Sequence, residues 1–137
     1  MTVADGTLVL VDLSGHTAGQ VGMFVNLPSG KRLFLIGDTS WTERGVEQNK
    51  PRPVFVQWIS HVDSDRERNS EQLKRIHELH QRDPELLIVP AHDEVVAAGL
   101  ALSLDKPLEW AVGFFFGNVE LSLELWTVIS GISGFDD

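Results

Sequence analysis

The chain predicts an α/β or α+β domain: a mixed sheet with covering helices. Three observations carry that expectation. Short apolar runs bounded by Gly, Pro and Asp recur in the first forty residues. A helix-period segment follows near residue 70, with Leu73, Ile76, His77 and His80 at i, i+3, i+4 and i+7. After it comes Leu86–Val89 (LLIV), an apolar run of strand length leading into Pro90-Ala91-His92-Asp93.

Taken in order, Thr7–Leu13 reads as the first strand and Gln20–Leu27 as the second. Pro28-Ser29-Gly30-Lys31 supplies the residues that close a hairpin onto Arg32–Ile36. That third run is apolar without alternation, the mark of a strand buried on both faces. Residues 39–65 are irregular, with Pro51 and Pro53 against helix, and read mainly as a long loop. Ser70 is the expected N-cap of a helix over Glu71–Arg82, which Asp83-Pro84 stops. Glu94–Ser103 reads as a second helix, ended by Lys106-Pro107. Residues 1–104 are therefore expected to form one half-domain, and 105–137 an aromatic and β-patterned tail of unknown role. In that tail Val119, Leu121, Leu123 and Leu125 alternate with Glu120, Ser122 and Glu124, and Phe114-Phe115-Phe116 stands between glycines.

Composition narrows the function classes. With 42% hydrophobic and 23% charged residues, the 137-residue chain has the make-up of one globular domain. Twenty acidic against eleven basic residues give a net charge of -9, which repels phosphate backbones and anionic membranes. Neither nucleic acid nor membrane is an expected partner. Apolar runs near 110–119 and 125–135 fall short of the ~20 residues that span a bilayer, and the N-terminal residues lack a signal-peptide pattern. The expected setting is cytoplasmic. With no cysteine, any metal must be held by His, Asp or Glu.

Three such groups stand where apolar strands run out: His16 in Ser14-Gly15-His16-Thr17, Asp38 after Gly37, and His92 after Val89-Pro90-Ala91. Strand ends hold side chains rigidly, which suits groups that must converge within about 2.0–2.2 Å of an ion. Two imidazoles and a carboxylate form a zinc, iron or manganese set. His77 and His80 read as residues of an amphipathic helix face. His61-Val62-Asp63 reads as a plain loop element, and the charge run from Asp63 to Arg68 as solvated surface. No Ser-His-Asp order, phosphate-binding glycine loop or paired-carboxylate spacing stands out.

The order Gly-His-Thr-x-Gly, an apolar strand ending Gly-Asp, and a strand ending Pro-Ala-His-Asp resembles the C-terminal half of the metallo-β-lactamase superfamily over residues 6–100. The resemblance implies a metal-dependent hydrolase in which metal-bound hydroxide attacks a lactone, ester or thioester carbonyl. It implies His16 as a ligand of the first metal, Asp38 as the bridge and His92 as a ligand of the second. Asp38-Thr39-Ser40-Trp41-Thr42 looks most like the quorum-quenching lactonase branch, where the position of Trp41 often holds a tyrosine that binds the substrate carbonyl. An indole N–H donates a hydrogen bond but supplies no acid. The superfamily's His-x-His-x-Asp-His motif is not found before His16. The expectation is therefore a half-site with negligible hydrolysis alone. The alternative is a non-catalytic half-domain that pairs with itself or with a separate N-terminal half.

Overall fold

The computed structural model describes residues 6–103. The fold is α+β, a mixed four-stranded sheet with four helices: β1 (Leu8–Asp12), β2 (Val21–Asn26), β3 (Arg32–Gly37), α1 (Glu43–Glu47), α2 (Val54–Ser60), α3 (Arg66–Arg82), β4 (Leu86–Pro90) and α4 (Glu94–Ser103). The chain divides into two compact units, Met1–Asp93 and Glu94–Asp137. The tail from 105 onward and the Lys106-Pro107 helix stop lie outside the described residues.

In the first unit the strands lie in sequence order, β1-β2-β3-β4. β1–β2 and β2–β3 are antiparallel, and β3–β4 is parallel. The hairpin between β2 and β3 closes through Leu27 N–H to the Lys31 carbonyl at 2.9 Å, with Gly30 at a positive φ of 85°. A parallel pair needs a long crossover, and here α1, α2 and α3 all lie within that one connection.

One face of the sheet carries the core. Phe24 and Phe34 face each other across the β2–β3 register and stack with centroids 3.9 Å apart. Phe34, Ile36, Leu86 and Ile88 are buried with Leu73 and Ile76 of α3 and Val46 of α1. The helix-period stripe is thus the face that packs. Its polar members belong to the amphipathic face as expected: His77 and His80 are half-buried, and His77 Nδ1 donates to the Val46 carbonyl at 2.9 Å, fastening α1 to α3.

Two expectations about this connection need refinement. Residues 39–65 are mainly irregular, as expected, but twelve of the twenty-seven form two short helices that the prolines hid. Thr42 caps α1 by accepting from Gly45 N–H, and α1 ends ahead of Pro51, while Pro53 stands at the N-cap of α2. Proline is tolerated at a helix start because the first N–H groups have no partner inside the helix. The long helix starts at Arg66 rather than 71, because Asp65 accepts from Arg68 N–H at 2.9 Å and caps it. Ser70 lies inside, its hydroxyl donating to the Arg66 carbonyl one turn back.

In the second unit, α4 is largely apolar, with Val95 exposed and Ala97 buried. Among the described residues no helix is long and apolar enough to cross a membrane.

Candidate functional site

The ends of β3 and β4 and the loop after β1 place His16, Asp38 and His92 together. Gly37, at φ 55°, turns the chain out of β3 so that Asp38 leaves the sheet. Ala91 N–H then donates to the Gly37 carbonyl at 3.1 Å, which ties the exit of β4 to that of β3. Across this junction His92 Nε2 lies 2.8 Å from Asp38 Oδ1. On the other side His16 Nε2 lies 3.7 Å from Asp38 Oδ2. Each oxygen of one carboxylate faces a different imidazole.

His16 is held from behind. Ser64 and Asp65 N–H groups donate to the His16 and Gly15 carbonyls, both at 2.9 Å, and the Ser64 hydroxyl donates to His16 O at 2.8 Å. These bonds zip the loop after β1 to the loop before α3. Gly15 makes the approach possible: a Cβ there would stand 2.6 Å from the Asn69 backbone. The same zipper presents Asp63 Oδ1 to His16 Nδ1 at 3.1 Å.

Asp63 is the residue the sequence reading missed. It does not belong to a solvated surface: its side chain is 1% exposed. Arg52, with a side chain 4% exposed, donates to Asp63 Oδ1 at 2.5 Å and also to the Asp38 main-chain carbonyl. Gln57 Nε2 donates to Asp63 Oδ2 at 3.2 Å. A buried ion pair persists only with such added hydrogen bonds. Because a carboxylate paired with a guanidinium accepts, His16 Nδ1 is the donor, and neutral His16 then keeps its lone pair on Nε2, the nitrogen that faces Asp38. Metal-binding histidines are commonly oriented this way.

Trp41 joins the group as well. Its ring meets His92 edge-on, with centroids 6.5 Å apart at 83°, and Arg52 stacks on it at 4.8 Å. Beside these two residues a cavity of about 410 Å³ opens, lined also by Arg44 and Lys50.

No protein-family model matches the chain, and no curated protein sequence matches it. The site must be read from its own geometry.

The donor types suit a divalent ion, but their number is small. Two donors on one ion with bonds of about 2.1 Å stand roughly 3.0–3.4 Å apart. The His92–Asp38 separation of 2.8 Å is near that spacing, whereas 3.7 Å for His16–Asp38 is wider. Asp38 Oδ1 is buried without a hydrogen-bond donor among the described residues, although His92 Nε2 is close. A hydrogen on His92 Nε2 would bond to this oxygen directly at 2.8 Å, whereas a bare Nε2 would leave the two atoms to share a cation. Even so, among the described residues no group of three His, Asp or Glu side chains is placed to hold an ion by itself. Each face of Asp38 offers one imidazole and one oxygen. Further ligands are needed on both.

Proposed function

We propose that the chain contributes part of a metal-dependent hydrolase site, of the kind its resemblance to the metallo-β-lactamase superfamily implies, acting on a lactone, ester or thioester carbonyl of a small molecule. One observation carries the reading. Asp38 presents Oδ1 to His92 at 2.8 Å and Oδ2 to His16 at 3.7 Å, the disposition a bridging carboxylate needs. A zinc, iron or manganese ion would supply Lewis acidity, polarising a carbonyl and acidifying water. His16, Asp38 and His92 would hold it, with Asp63 fixing the His16 ring and Trp41 offering an N–H beside His92. The remaining ligands would come from a complementing segment, and the chain alone is expected to show negligible hydrolysis.

A second reading, a half-domain that pairs with a second copy or a separate N-terminal half, draws on α2. Val54, Phe55, Trp58 and Ile59 are between 59% and 74% exposed there, more apolar side chain than a seven-residue helix usually leaves in water. Size-exclusion mass at micromolar concentration separates the two: a discrete dimer supports pairing, and a monomer that binds metal supports the first reading.

The direct test is metal content. The chain, incubated with zinc and dialysed against a weak chelator, is compared with a His16→Ala/His92→Ala double variant of matching circular dichroism. Because ligands are missing on both faces of Asp38, a partial load of less than one ion per chain, lost in the double variant, is the expected result. No retained metal in either protein would sink the reading.

A further inference from the structure

We propose that the cavity beside Trp41 is an oxyanion subsite, which binds a carboxylate or phosphate group of the molecule whose carbonyl is presented to Asp38. The chain has twenty acidic and eleven basic residues. Yet the cavity wall carries three of the basic ones, Arg44, Lys50 and Arg52, and none of the acidic ones. A wall of one sign, against the net charge of the whole chain, focuses potential on a ligand of the opposite sign.

The three cations differ in what they still have to give. Arg52 spends its terminal nitrogens on Asp63 and on the Asp38 carbonyl, but its buried Nε has no acceptor among the described residues. Arg44 and Lys50 are exposed, and neither has an ion-pair partner among the described residues. Both therefore keep their charge available to a ligand. Of the hydroxyls in the same wall, Ser40 Oγ donates to the Thr42 carbonyl, while Thr42 Oγ1 accepts from Gly45 N–H and keeps its proton to donate. What the cavity offers is positive charge beside the indole of Trp41. Guanidinium and ammonium donors of this kind make the stronger, charge-assisted hydrogen bonds to oxyanions.

Position ties the cavity to the site. Trp41 and Arg52 form a shared wall: Trp41 lies against His92, and Arg52 holds the main chain at Asp38. A small molecule anchored by its anionic end at Arg44 and Lys50 would reach past Trp41 toward the Asp38 carboxylate. Assigning the anion to a substrate rests on the hydrolase reading; the binding itself does not.

The test is an NMR titration of the chelator-treated full chain with inorganic phosphate in one arm and acetate in the other. At least one anion is expected to give a saturable response that includes the Trp41 indole N–H, and the tighter arm names the group. The Arg44→Ala/Lys50→Ala variant should weaken that binding about tenfold or more, the scale of losing a charged hydrogen bond. Arg44→Lys/Lys50→Arg should retain it. Lys74→Ala/Arg75→Ala, which removes the same charge from the exposed side of α3, should leave it unchanged. Saturation by neither anion, or an equal loss in the α3 control, overturns the proposal. Because the chain is stripped of metal beforehand and the chelator then removed, that failure is distinct from a failure to bind metal, which the zinc measurement reads separately.

Discussion

The Nδ1 of His16 lies 3.1 Å from Oδ1 of Asp63, a residue 47 positions further along the chain. That contact joins the stability of the fold to the orientation of the site, because the same Asp63 oxygen also accepts from Arg52. Asp63→Ala leaves the Arg52 guanidinium buried without its carboxylate. Removing one partner of a buried pair costs about 3–5 kcal/mol, so urea unfolding should report a loss on that scale. Asp63→Asn restores volume but not charge and should lose less. An Asp63→Ala chain as stable as the parent would mean that Arg52 finds another acceptor.

Gly15→Ala should be severe for a residue without a side chain of its own. The added Cβ would sit 2.6 Å from the α3 backbone at Asn69, where nothing yields like a flexible side-chain end. Overpacking of this kind costs about 1–3 kcal/mol. The zipper of Ser64 and Asp65 onto Gly15 and His16 should open with it. Hydrogen exchange at the Ser64 and Asp65 amides, faster in the variant than in the parent, checks the local effect.

Acid and neutral pH should act on different carboxylates with opposite sign. Asp12 is held below the usual aspartate range by hydrogen bonds from Ser14, with Arg68 assisting, and Asp83 by hydrogen bonding and charge from Arg32. Depressed folded-state values mean stability that is present above about pH 4, the unfolded aspartate value, and is lost as pH falls through the folded values. Glu43 is shifted the other way, chiefly by burial and then by Glu47 and Asp93. Its ionised form is disfavoured in the fold, so its contribution is complete below the unfolded value and is lost as pH rises through the folded one. Glu43→Gln should therefore raise the thermal midpoint at pH 7 and not at pH 3.5. Melting curves of the parent, Glu43→Gln and Asp83→Asn at both values separate the two directions; a Glu43→Gln chain less stable at pH 7 contradicts the assignment.

Trp58 is 74% exposed on α2. Trp58→Ser should change stability by no more than about 0.5 kcal/mol, as surface substitutions do. If the α2 face mediates self-association, the same variant should shift the sedimentation average toward monomer.

The strands, and the placing of His16, Asp38 and His92 at neighbouring strand ends, were legible because each rests on local pattern. Arg32–Ile36 and Leu86–Val89 are apolar runs closed by Gly or Pro, and His16, Asp38 and His92 follow such runs directly. The structure puts the two strands side by side and the three side chains within 3.7 Å contacts. Asp63 and Arg52 were not legible. A buried ion pair uses the same residue types as a solvated charge run, and only the zipper to Gly15 and His16, far off in sequence, takes Asp63 out of water. The start of α3 was misplaced for a related reason. Arg66-Glu67-Arg68 looks like surface charge, while Asp65, the cap that begins the helix, sits in the same run. Pro51 and Pro53 concealed α1 and α2 because proline bars helix interiors but not helix starts.

The parallel pairing of β3 and β4 also sets an order of events. His92 meets Asp38 only once the chain has closed a loop of some fifty residues, a step whose entropy must be met before its contacts repay it. The β1–β2–β3 meander closes short loops and has no such delay. Nascent chains would thus acquire the β1–β2–β3 meander before β4 and the site, and a probe that senses the His92–Asp38 contact would serve as a clock for the last stage of folding.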